Sequence, residues 1–157
     1  MLLRETLNVW AWSFAKVPLL FSALPEVIAL DDRKSVVRIR LRRKTKNHLR
    51  SMYFGALCIG ADAAGGLAAM RAIEQTGGGM SLVFKDVTAR FLRRPEGHVL
   101  FTCENGEAIR ELVALARSSG EREEMTVRVV ATVPSLSGEE PVADFSLTLS
   151  IKQKARE

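Results

Sequence analysis

The chain has 157 residues, 47% of them hydrophobic and 26% charged, with a formal net charge of +5. That length builds one domain with a sizeable core, and that balance excludes a disordered or low-complexity polymer. Two cysteines, Cys58 and Cys103, make no disulfide framework and no zinc spacing, so a reducing, cytoplasmic setting is expected.

Leu3, Leu7, Trp10, Phe14 and Val17 recur at helical spacing and predict an amphipathic helix packed on the domain through those residues, then a turn or short helix ending at Pro25. Arg4, Glu5 and Lys16 interrupt this apolar N-terminus and Pro18 breaks it, so no membrane span is expected there. Its polar face is not notably basic, which argues against attachment to a membrane surface. Residues 1–34 are read as an N-terminal helical segment and 35–151 as the core of a single domain covering 1–157.

Val37, Ile39 and Leu41 alternate with Arg38, Arg40 and Arg42, the pattern of a half-buried strand with a basic outer face. After a loop from Arg43 to Arg50, an apolar helix runs from about Tyr53 to Ile73 and stops at Gly77, Gly78 and Gly79. The extended segment Ser81 to Arg93 changes phase near Lys85 and Asp86, which predicts a bulge. Pro95 and Gly97 turn the chain into a strand from His98 to Glu104. Asn105 is placed to cap a helix that buries Ile109, Leu112, Val113 and Ala116 and ends at Gly120. Two clean alternations, Met125 to Val133 and Ala143 to Ile151, complete the set. An antiparallel-rich sheet wrapped around one long helix accommodates this order with short loops, giving an α+β fold.

The apolar helix contains the most informative residue. From Phe54 to Met70 every residue is apolar or very small except Asp62, which has eight residues on either side. A helix rich in Ala and Gly is surrounded by other structure, so Asp62 is expected in a poorly hydrated place. An unpartnered carboxylate there is costly, which makes it a candidate functional group; the alternative is a carboxylate tied to a backbone or basic partner.

Asn47, Tyr53, Gly55 and Asp62 fall at the spacings of a motif in hotdog-fold acyl-thioester hydrolases of the phenylacetate-degradation type, and FLRRP at Phe91 to Pro95 is similar to that family's Phe-Leu-Arg-Pro signature. The chain resembles this superfamily, in particular a branch catalogued as a domain of unknown function. Tyr53 stands where His is usual, Phe54 replaces the first Gly of a pair, and Arg50 occupies a position where Gly is common. The resemblance implies a hotdog fold: a curved antiparallel sheet of five or six strands around a long central helix, here with an added N-terminal helix. It also implies hydrolysis of acyl-CoA or a related thioester without a cofactor, and sites between the subunits of a homodimer or dimer of dimers.

In that reading Asp62 is general base or nucleophile, and the backbone N–H groups of Phe54, Gly55 and Ala56 face the thioester oxygen at the positive end of the helix. Asn47 positions substrate or holds the entry loop, and Tyr53 bonds the carbonyl or the water. Arg50, Arg90, Arg93 and Arg94 are candidates for the phosphates of coenzyme A. Residues 33–50 carry nine Lys or Arg and no acid. Nucleic acid is the rival partner for that edge, but no aromatic is interleaved with the arginine ladder, which reads more simply as the solvated face of a strand. His48 and His98 lack partners at metal spacing, and no serine elbow or phosphate loop is present. An acyl-binding hotdog protein without turnover, and a basic-edged structural partner, remain the alternatives.

Overall fold

A computed structural model describes residues 1–154. In chain order the elements are α1 (Leu3–Lys16), α2 (Pro18–Ala23), β1 (Glu26–Leu30), β2 (Ser35–Ile39), α3 (Phe54–Gln75), β3 (Met80–Phe91), β4 (Val99–Cys103), α4 (Gly106–Ser119), β5 (Glu123–Thr132), α5 (Pro134–Ser137) and β6 (Pro141–Gln153). The six strands form one sheet in the order β1-β2-β4-β5-β6-β3, with every neighbouring pair antiparallel. This sheet curves around α3, the hotdog arrangement implied by the resemblance.

Small residues on α3 let the strands close in. A Cβ on Gly60 would lie 2.3 Å from the buried Phe101 ring of β4, and one on Gly65 would come 3.3 Å from Phe84 of β3. Ser35 of β2 fastens the sheet to the helix by donating its hydroxyl to the Ala64 carbonyl at 2.6 Å. By length and composition α3 is long and apolar enough to cross a bilayer, yet 67% of its most apolar window is already buried within the fold. The three glycines that follow all take positive φ, and Arg117 of α4 ties them down through the Gly78 carbonyl at 2.6 Å. The change of phase in β3 is a register shift between Phe84 and Val87, the expected bulge.

Four sequence expectations need correction. The segment 1–34 is not wholly helical, because Glu26–Leu30 form β1 and extend the sheet to six strands. That strand is short and lies next to Pro25, so its alternation is weak in sequence.

The packed face of α1 is also different. Thr6, Val9 and Ser13 are buried, whereas Leu3, Leu7 and Phe14 point outward, Phe14 at 68% exposure. The reason is the sheet edge: Val27 donates its N–H to Thr6 Oγ1 at 3.0 Å, and the Leu2 N–H bonds the Val27 carbonyl at 2.7 Å. Capping those backbone groups orients the helix more strongly than its apolar stripe does.

Asn105 occupies the cap position of α4 but its side chain does not cap it, accepting instead the Arg128 N–H of β5 at 2.9 Å.

The arginine ladder is only partly a solvated face. Glu26, with 4% of its side chain exposed, sits opposite Arg38 and makes ion pairs with Arg38 and Arg40 at 2.6 Å each, with Arg42 at 3.9 Å. Burial alone would raise its carboxyl, but the guanidiniums of Arg40 and Arg38 paired with it outweigh that and hold it below the usual range.

Candidate active site

The entry to α3 is a built loop. Asn47 Oδ1 accepts the N–H groups of Leu49 and Ser51 at 2.9 and 3.1 Å, while its amide donates to Ser51 Oγ at 3.0 Å. All of these bonds lie within the entry loop, between Asn47 and Ser51. Arg50 closes the turn with φ +65°, a left-handed conformation that glycine adopts at no cost. Two backbone bonds then aim the chain into the helix: Tyr53 N–H to the Thr45 carbonyl at 2.8 Å and Met52 N–H to the Pro95 carbonyl at 2.9 Å.

No side chain caps α3. The N–H groups of Ala56 and Leu57 both bond the Tyr53 carbonyl, at 2.9 and 3.1 Å, so Ala56 is not a free donor. Those of Phe54 and Gly55 have no hydrogen-bond acceptor among the described residues. Tyr53 lies over them: its ring is so near Gly55 that a Cβ there would come 2.6 Å from Cε1. Tyr53, Phe54, Phe91 and Phe145 form a chain of ring contacts with centroids 4.7, 6.4 and 6.0 Å apart, leading from the surface into the core.

A cavity of about 610 Å³ opens here, bordered by Asn47, Tyr53, Phe54, Phe91, Arg93 and Arg94. Arg93 is tied to Glu140. Arg50 and Arg90 do not border this cavity, and neither do Gly55, Ala56 or Asp62.

Asp62 lies two turns further along α3, about 12 Å from Phe54 at 1.5 Å per residue. It borders a second cavity of about 930 Å³ between α1, α3 and β3, with Val9, Trp12, Leu20, Leu67, Met70 and Phe84 among the walls. Burial pushes its carboxyl above the ordinary value, and no hydrogen bond or neighbouring charge counters it among the described residues.

Asp62 belongs to a stripe with Gly55, Cys58, Ile59 and Gly66, recurring at helical spacing and half-buried, while Ala56, Leu57, Gly60, Ala61, Ala63 and Ala64 around it are buried. Burial also raises the Cys58 thiol, which disfavours a thiolate there. Beside the stripe, Val87, Ala89 and Phe91 pair with the buried Leu147, Phe145 and Ala143 and so occupy the inner face of the sheet. Val87 and Phe91 are nevertheless half exposed, because β3 is an edge strand.

Sequence reasoning missed Glu26, the wall that α1 contributes through Glu5, Asn8 and Trp12, and the separation of the motif into two cavities. An acid directly before a short β-branched run, opposite an arginine ladder, was the available signal for the first.

The family described as a domain of unknown function, DUF4442, matches residues 8–151. The chain is a DUF4442 protein. No curated protein matches it. Among solved structures, this DUF4442 chain is similar to a Pseudomonas aeruginosa protein of unknown function described as a probable thioesterase, at 20% identity and TM-score 0.75 over 93% of this chain and 95% of that one. It is also similar to a protein of unknown function from Chlorobaculum tepidum, at 11% identity and TM-score 0.82 over 96% and 95%. A mutant thioesterase from Pseudomonas aeruginosa shares 16% identity and TM-score 0.65 over 95% and 93%. At these identities the DUF4442 chain shares with them the hotdog fold.

Proposed function

We propose that this DUF4442 protein hydrolyses acyl thioesters of the acyl-CoA type, with Asp62 as general base. The observation that carries the reading is an unpartnered carboxyl, raised by burial, on the half-buried stripe of the central helix. The ionised Asp62 takes a proton from water as the water oxygen attacks the thioester carbon. The carbonyl oxygen, becoming an oxyanion, is held by the free N–H groups at the start of α3. On collapse the C–S bond breaks and the thiolate takes up the proton, leaving a carboxylic acid and a thiol. Direct attack by the carboxylate, through an anhydride that water then opens, uses the same atoms.

A single chain keeps these parts about 12 Å apart along one helix, too far for one carbonyl to reach both. We therefore place the reaction between two copies, the Asp62 of one facing the Phe54–Gly55 end of α3 in the other. The free edge of β3 and the exposed Val87 and Phe91 beside the stripe support a homodimer formed over that face. Arg93 and Arg94 stand at the mouth of the loop cavity, suited to the phosphates of a coenzyme A carrier.

A second reading, acyl binding without turnover, is favoured by one observation: the Tyr53 ring crowds the Gly55 end of the helix. Thiol release from a panel of acyl-CoA thioesters separates the two. Turnover by the parent that is lost in Asp62→Asn supports hydrolysis, and saturable binding of the same thioesters with no thiol released supports the second reading.

A further inference from the structure

The larger cavity continues past Asp62. Along α3 it runs from Asp62 to Glu74, about 18 Å at the helical rise. Leu20, Leu67, Met70 and Phe84 give it apolar walls beyond Asp62, and α1 closes one side with Val9 and Trp12. A volume of about 930 Å³ is near the upper end of small-molecule sites, roughly 300–1,000 Å³. An acetyl group at Asp62 would leave most of those walls facing water.

We infer that the slot between α1 and α3 receives a long, unbranched acyl chain, whose carbonyl end lies at Asp62 and whose tail runs toward Glu74. The inference rests on the thioester reading above for the source of the chain. An extended chain covers 3.3–3.6 Å for every three backbone bonds, so about 18 Å takes roughly fifteen or sixteen bonds, a chain of about sixteen carbons. The other polar side chains that border the slot are Arg4, Glu5 and Asn8 of α1 and Arg71 and Glu74 near the end of α3, with Arg71 held by Asp32 at 3.0 Å. Each methylene buried there is expected to tighten binding about fourfold.

Trp12 provides a readout independent of turnover. It borders the slot, whereas Trp10 does not and instead donates its indole N–H to the Pro25 carbonyl at 2.7 Å. The probe is hexadecanoic acid brominated near its tail, titrated against the full chain while tryptophan emission is followed. Saturable quenching is expected, with at least a fivefold smaller amplitude in Trp12→Phe. Gly66→Leu fills the slot: a Cβ at Gly66 meets only Phe84 at 3.9 Å, so the helix accepts the side chain. It should weaken the probe at least tenfold and lower the ratio of kcat/KM for hexadecanoyl-CoA over butanoyl-CoA by a similar factor.

Absence of quenching overturns the inference, as does concentration-dependent shielding of Trp12 by a second copy with no response to the acid. Quenching without thiol release leaves the slot standing and removes the hydrolytic reading. Thiol release that is indifferent to chain length, with Trp12 silent, does the reverse.

Discussion

The Tyr53 ring covers Gly55 so closely that a Cβ at position 55 would come 2.6 Å from its Cε1 atom. Gly55→Ala must move the ring away from the helix end. Tyr53 is half exposed and free to yield, so stability should change by less than about 1 kcal/mol. The KM for an acyl-CoA substrate should shift several-fold while Tm moves little. An unchanged KM would mean that the ring does not border bound substrate.

The role proposed for Asp62 links activity to stability. The folded protein holds this carboxyl above the ordinary value of about 3.9, so its contribution to stability is fully present below that pH and is lost as pH rises through the raised folded value. Asp62→Asn removes that loss. Its Tm should exceed the parent's at pH 7 and match it near pH 3, as thermal melts across the range would show.

Glu26 has the opposite sign. Its carboxyl is held low, so its contribution is present above the unfolded value of about 4.3 and is lost as pH falls through the lower folded one. Glu26→Gln leaves Arg38 and Arg40 without a counter-charge on β2. Breaking a buried pair costs about 3–5 kcal/mol, and the partial exposure of both guanidiniums reduces that to about 2 kcal/mol at pH 7. Urea unfolding of both proteins at pH 7 and pH 2.5 checks this, with a smaller difference expected at the lower pH.

Packing beneath the helix is less forgiving. Gly60→Ala would put a methyl 2.3 Å from the Phe101 ring, and both residues are buried. Overpacking of this kind should cost about 1–3 kcal/mol in a chemical-denaturation midpoint, despite the better helix propensity of alanine.

The exposed Val87 on the β3 edge tests the composite site. Val87→Lys is expected to leave a folded monomer by sedimentation and to lower thiol release at least a hundredfold. A fully active monomer would place the whole reaction within one chain.

The elements legible in the sequence were those whose burial follows a period. Strands β5 and β6 alternate cleanly, and the small residues of α3 announce a wrapped helix. Even the β3 bulge is visible as a change of phase at Lys85 and Asp86. Elements fixed by a single tertiary bond were not legible. The orientation of α1 depends on Thr6 accepting the Val27 N–H, and Asn105 is drawn from its cap by Arg128. Neither bond leaves a periodic trace.

The site divides the same way. Asp62 stood out because its surroundings are so uniformly apolar. The loop geometry of Asn47, the free N–H groups behind Tyr53 and the slot under α1 are products of backbone placement, which residue types alone do not encode.

Asp62 as the group that drives thioester hydrolysis is the central claim, and the pH dependence of thiol release from hexadecanoyl-CoA tests it most directly. The account predicts a kcat/KM for the parent that falls as pH drops through a carboxyl value above the ordinary range. It predicts at least a thousandfold loss in Asp62→Asn, with the fold unchanged by circular dichroism. Thiol release in Asp62→Asn at the parent's rate, with the parent's pH profile, would contradict it.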